Sequence, residues 1–361
     1  MIIERIEALP LRVPFVPRPA GVPVPLNPSD ALYLVWCRVT TRSGLQGYGE
    51  CLCYRAPMQR ALVATLTDAI APLYAGRSVD DREALNLEAR RRFASFGRAG
   101  TVLNALAAID IALWDIAGKA AKQSLADLLG GTRRRRLGIM ASLDKYNDGA
   151  AVRTRIGQAL AAGVEAVKVH ESDLGVIEQG RAAVDSSVPY VADLNNALSW
   201  TDLESTLPRW QALGLLWLED PVWPPERLLA GAAPDVTVGL GADLGSAEQM
   251  ALYLQAPSVG VLQPDVCMLG GVSEARRVLD RLRTSSATIA PHTPFVGPAA
   301  LASMQLIATL DRDCAFATIE ADPAMDPYGL GLTEWRPAIE LPSGPGLGAD
   351  PQPDFVTRYG A

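Results

Sequence analysis

Histidine is nearly absent from this chain, with only His170 and His292 in 361 residues. Cysteine is scarce and odd in number (Cys37, Cys51, Cys53, Cys267 and Cys314), and no spacing matches a zinc knuckle or a CxxC redox pair. That usage argues against a disulfide-stapled scaffold and points to a reducing cytoplasm. No uninterrupted run of about 18 apolar residues occurs, so no membrane-spanning segment is expected. The opening MIIERIEALPLRVPF lacks the basic-then-apolar pattern of a secretion signal. Positive charge is in deficit, 33 Lys and Arg against 40 Asp and Glu, which disfavours a nucleic-acid partner.

Apolar residues are plentiful. They make up 49% of the chain against 20% charged, enough for a large buried core. The length suggests two domains, or one large barrel with an addition. Residues 2–11 and 31–41 alternate like strands, and the latter forms a predicted hairpin with YGECLC across the turn RSGLQG. Between them, 16–30 is dense in Pro and Gly and reads as a long loop, the kind that serves as an active-site lid. From Pro57 to Leu129 the pattern is helical, and 105–131 closes on a Gly pair suited to a helix C-cap. RRRR at 133–136 reads as a solvated linker.

A regular rhythm follows. Eight short apolar runs alternate with helical stretches: 137–143, 166–170, 189–195, 215–220, 237–243, 260–265, 288–292 and 316–321. Continuous apolar strands between helices predict a parallel sheet covered on both faces. Eight of them at near-even spacing favour a closed (β/α) barrel over an open dinucleotide-binding sheet. GLGADLG at 239–245 has the wrong spacing for a dinucleotide fingerprint. Ser142, at the end of the first run, has no base in phase with it, so a serine nucleophile is unsupported. The tail after Asp326 is expected to pack back on the N-terminal part.

Barrel chemistry gathers where the strands end. Those ends carry Lys168 and His170, then Asp193, Glu219, Asp243, Asp265, His292 and Glu320. The groups recur at roughly the 25–30 residues of one βα unit, so they should ring one mouth. Asp193, Glu219 and Asp243 are three consecutive carboxylates that would repel one another without a cation. Oxygen ligands favour Mg²⁺, with Mn²⁺ possible in its place. Asp220, next to Glu219, should point to the opposite side of its strand. Lys168 and His170 face the same way, and the lysine charge and a nearby metal should lower the pKa of His170 and leave it a neutral base. Asp265 and His292 end adjacent strands, an arrangement that makes His292 a general acid/base. Glu320, if protonated in a crowded anionic site, could donate to a substrate carboxylate.

The segment AIDIALWDIAGKAAKQSLADLLGG (108–131) and the strand ends VADLN, WLEDP, GAD, LQPDV with MLGG, APHTP and TIEADP together resemble the mandelate racemase branch of the enolase superfamily. The resemblance spans nearly the whole chain. It implies an N-terminal α+β capping domain over 1–130, a modified TIM barrel, (β/α)₇β, over 131–325, and a C-terminal segment over 326–361 that packs on the cap. It implies Mg²⁺ on Asp193, Glu219 and Asp243, an Asp265–His292 dyad, and Glu320 hydrogen-bonded to the substrate carboxylate as it becomes an enediolate. Loops near 16–30 and 50–58 would select substrate, and homo-oligomers of even number would be the assembly. One departure stands out: the family usually carries Lys-x-Lys where this chain has Lys168-Val169-His170.

The expected chemistry is removal of the proton alpha to a small carboxylate. Positive charge placed where the second negative charge develops stabilises the transition state more than the ground state. If His292 then protonates a leaving β-hydroxyl, the reaction is dehydration of an acid sugar, an aldonate or aldarate. If His170 and His292 exchange protons across the substrate, it is racemisation or epimerisation, and a lactone substrate would give cycloisomerisation. The rival outside enzymology is a non-catalytic metal-binding barrel.

Overall fold

The computed structural model describes residues 1–14, 31–53, 55–230, 234–282, 285–311 and 314–360. The proposed lid at 16–30 lies outside them. Strands β1 (Ile3–Pro14), β2 (Ala31–Thr41) and β3 (Gln46–Cys51) form an antiparallel sheet in the order β1-β2-β3. The hairpin turns at Gly44, where φ is +83°, a conformation glycine adopts without strain. Helix Thr101–Ala121 lies across this sheet and is buried continuously from Leu103 to Ile116. By length and composition it could cross a bilayer, but here its surface is spent on the protein interior. The close approach needs Gly49, because a Cβ there would sit 1.8 Å from Ala108 O.

The eight expected runs all become parallel strands: β4 (Arg136–Leu143), β5 (Ala166–Val169), β6 (Tyr190–Asp193), β7 (Trp217–Glu219), β8 (Val238–Leu240), β9 (Val259–Leu262), β10 (Thr288–Ile289) and β11 (Phe316–Thr318). They are ordered β11-β4-β5-β6-β7-β8-β9-β10. No backbone ladder joins β10 to β11 among the described residues; both are very short, and Thr293 Oγ1 reaches across the seam to Ala317 O at 2.8 Å. The outer helices start where the sequence supplies caps. Asp148, Asp173, Ser199 and Ser246 each accept an N–H of the first turn, and Ser199 with Asp202 makes a capping box.

Inside the barrel, Met140, Ala166, Val191, Trp217 and Val261 form one apolar layer with Ala290, Ala315 and Ala317. Side chains two residues further along a strand share its face. The residues two beyond Met140, Ala166, Val191, Trp217, Val261 and Ala290 are Ser142, Lys168, Asp193, Glu219, Gln263 and His292. A dry layer thus floors a polar one. The tail adds strand β12 (Ala338–Glu340), antiparallel to β4. It then binds the cap: Leu347 N donates to Asp115 Oδ1 at 2.9 Å, and Phe355 stacks on Trp36 with ring centroids 5.4 Å apart.

Candidate active site

A cavity of about 390 Å³ opens over the polar layer. The barrel contributes Lys168, His170, Asp193 and His292 to its wall, and the cap contributes Leu32, Leu34, Glu50 and Cys51–Cys53. Residues 51–53 of the expected 50–58 loop therefore do face the cavity.

Asp193 and Glu219 are paired in register across β6 and β7, so their carboxylates emerge side by side. Lys168 Nζ lies between them, 2.7 Å from Glu219 Oε1 and 3.4 Å from Asp193 Oδ2. Burial opposes its charge, but the two carboxylates outweigh burial and raise its pKa above the usual lysine value. Trp217 Nε1 donates to Glu219 Oε2 at 3.0 Å and Asn195 N to Asp193 Oδ1 at 2.9 Å. Asp193 is held well below the usual carboxylate range: burial would raise it, and the Lys168 and His170 charges more than reverse that.

Three expectations need correction. The first concerns Asp220, expected to point away from its neighbour: the ligand atoms of Asp193, Glu219 and Asp220 lie within 4.8 Å of one another. Asp220 adopts φ +39°, which breaks the two-residue alternation and swings its side chain towards Glu219. Burial, and then the charges of Glu219, Asp193 and Asp243, push its pKa well up. Asp243 is raised as well, by burial first and then by Asp265 and Asp193.

The second is His170. Its Nδ1 faces Leu143 O and its Nε2 lies 3.2 Å from Asp193 Oδ2. Burial and Lys168 do lower its pKa, but Asp193 prevails and the net shift is upward, not downward.

The third is Glu320. Ala317 faces the barrel interior, and Ile319, in the same phase, lines the cavity. Thr318 and Glu320 therefore face outward. Glu320 is 42% exposed and its Oε2 accepts from Arg155 Nη2 at 2.6 Å. The carboxyl is thus directed at Arg155 and away from the cavity where the expected proton donor would have to act.

The dyad is present. His292 Nδ1 lies 2.8 Å from Asp265 Oδ2, and Asp265 Oδ1 accepts from Cys267 N (2.7 Å) and Met268 N (3.0 Å). Asp265 is fully buried, so its orientation is fixed from behind. Sequence reading missed Glu50. It is fully buried, accepts from Trp36 Nε1 at 3.2 Å and Ala299 N at 3.0 Å, and lines the cavity. Burial, helped by the Asp265 charge and opposed by those two donors, pushes its pKa up to about 8. Gly297 makes room for this junction, since a Cβ there would lie 2.7 Å from Glu50 Oε2. An ionisable residue in the inward phase of strand YGEC was the available signal.

Residues 151–355 match the enolase C-terminal domain-like family, and 19–130 match the mandelate racemase/muconate lactonizing enzyme N-terminal domain. The chain belongs to the mandelate racemase branch of the enolase superfamily. It is 28% identical over 343 residues to a D-galactarolactone cycloisomerase from Agrobacterium fabrum, covering 88% of each chain. It is 25% identical over 289 residues to an arabinonate dehydratase from Saccharolobus solfataricus, covering 77% of each. A solved enolase-superfamily member from Polaromonas sp. JS666 superposes with TM-score 0.86 at 26% identity, covering 100% of this chain and 98% of that one. The chain is thus an enolase-superfamily enzyme with the modified barrel and cap of that superfamily, whose members bind Mg²⁺.

Proposed function

We propose that this enzyme dehydrates an acid sugar, an aldonate or aldarate, by removing the proton alpha to its carboxylate and releasing the β-hydroxyl as water. The observation that carries this is an asymmetry between the two histidines. Both ring nitrogens of His170 are engaged, by Leu143 O and by Asp193. His292 uses Nδ1 on Asp265, and its Nε2 has no partner among the described residues. A two-base racemase needs a free lone pair on each side of the substrate; here one imidazole offers one.

The all-oxygen group of buried Asp193 and Glu219 with half-buried Asp220 suits a hard divalent cation, Mg²⁺ or Mn²⁺. Such a cation, when bound, supplies positive charge beside the substrate carboxylate. Lys168 adds a permanent ammonium there. His292 Nε2 takes the α-proton, and Asp265 stabilises the resulting imidazolium. The C–H electron pair becomes the new double bond between the α and β carbons as the bond to the β-oxygen breaks. His292 returns its proton to that oxygen, water leaves, and the enol becomes a 2-keto-3-deoxy acid. The five cysteines are unpaired thiols, which supports a cytoplasmic setting.

A second reading rests on the cycloisomerase relative: the same first step, with a lactone ring oxygen as leaving group. A panel of aldonates, aldarates and their lactones, scored for keto-acid formation, tests both. His292→Asn should lower turnover by roughly 10²–10⁴-fold, the usual worth of a general acid/base. Exchange of the α-proton without keto-acid, on any acid, would overturn dehydration in favour of epimerisation.

A further inference from the structure

The cavity wall carries a second lysine that the proton chemistry does not use. Lys145 follows β4 and lines the cavity. Its Nζ donates to Ser172 Oγ at 2.8 Å, and among the described residues it forms no ion pair. Asp144, its chain neighbour, lines the same wall.

Lys145 is held there by its loop. Buried Glu171 accepts Tyr146 N at 2.7 Å and Asn147 N at 3.1 Å. Asn147 sits at φ +55°, a conformation that asparagine tolerates. Tyr146 is buried, and its hydroxyl accepts from Arg155 Nε at 3.2 Å. The backbone on both sides of the lysine turn is therefore fixed, and the ammonium reaches the cavity at a set place. An ammonium has three N–H donors, and the hydroxyl partner takes one. In strand order β4 stands two strands from β6, which bears Asp193. The cap's share of the cavity wall is Leu32, Leu34, Glu50 and Cys51–Cys53, with no cation among these described residues. Among the described residues of the wall, Lys145 and Lys168 are the two ammonium groups, and Lys145 offers an anion a charge away from the acidic group.

We propose that Lys145 binds the second carboxylate of a dicarboxylic sugar acid, so that the enzyme's substrates are aldarates or their monolactones rather than aldonates. This rests on the acid-sugar reading above. One carboxylate would lie by Lys168 and the acidic group, and the other on Lys145.

The test compares an aldarate with the aldonate of the same carbon number and configuration, in Mg²⁺ buffer, on the wild type and Lys145→Met. The wild type should prefer the aldarate in kcat/KM. Lys145→Met should lower that preference roughly 10- to 100-fold, mostly through KM, the worth of one charge-assisted hydrogen bond. Lys145→Arg should restore part of it. Equal use of the two acids by the wild type, or equal loss on both in the variant, overturns the inference while leaving acid-sugar dehydration standing. If neither acid is turned over, the parent reading fails. Calorimetry with malate and lactate then decides the role of Lys145: selective loss of malate affinity in Lys145→Met supports it, and an unaltered malate-to-lactate ratio overturns it.

Discussion

Lys168 Nζ donates to Glu219 Oε1 at 2.7 Å inside the barrel, where both side chains are almost wholly buried. Asp193 is 3.4 Å from the same ammonium. Lys168→Met removes a positive charge in contact with two buried carboxylates. Breaking a buried pair by removing one partner costs about 3–5 kcal/mol. Urea unfolding in chelator should show a loss of that size, and added Mg²⁺ should recover more stability in the variant than in the wild type. An identical response of the two proteins to Mg²⁺ would contradict the arrangement.

Asp220 and Asp243 compete for the third place beside Asp193 and Glu219. Asp220 groups with both within 4.8 Å, while Asp243 follows β8, the next strand of the barrel. Calorimetric Mg²⁺ titration should therefore show a larger loss of affinity for Asp220→Asn than for Asp243→Asn, by about tenfold or more if one contributes a ligand and the other only shapes its surroundings. The reverse order would return the assignment to Asp243.

Glu320 is an outward, half-exposed partner of Arg155, which is itself 2% exposed and stacked 4.3 Å from the centroid of Trp335. Glu320→Gln should keep kcat/KM within about threefold, whereas loss of an electrophilic donor typically costs 10²–10³-fold. Arg155→Met should instead lower the melting temperature, because the guanidinium supports Trp335, Tyr146 and Glu320 together.

Glu50 makes stability depend on pH. Its pKa is pushed up from 4.5 to about 8, so the fold prefers the neutral carboxyl. The stability it contributes is complete below about pH 4.5 and is lost as the pH rises towards 8. Glu50→Gln lacks this titration. The stability gap between wild type and variant, measured by urea unfolding at pH 5, 7 and 9, should shift against the wild type as pH rises. A gap that stays constant would show that Glu50 does not titrate in this range.

The barrel was legible because strands buried on both faces read as uninterrupted apolar runs, and all eight runs are strands. Lys168, Asp193, Glu219, Asp265 and His292 followed from phase, since each sits two residues beyond an apolar floor position or continues that alternation. Phase without parity misplaced Glu320: Ile319 takes the inward position. Parity without backbone conformation misplaced Asp220, whose positive φ appears only in three dimensions. The pKa of His170 turned on a 3.2 Å contact with Asp193 that spacing does not fix. Glu50 was missed because its burial arises from docking of β3 against helix Pro298–Ile307, which begins almost 250 positions later in the chain.

The stacking of Phe355 on Trp36 joins the sheet made first to residues made after the whole barrel. Trp36 also donates to Glu50, so that stack braces the cap's wall of the catalytic chamber from behind. The cap side of the cavity therefore leans on an aromatic ring that the ribosome adds only after every barrel strand has been made.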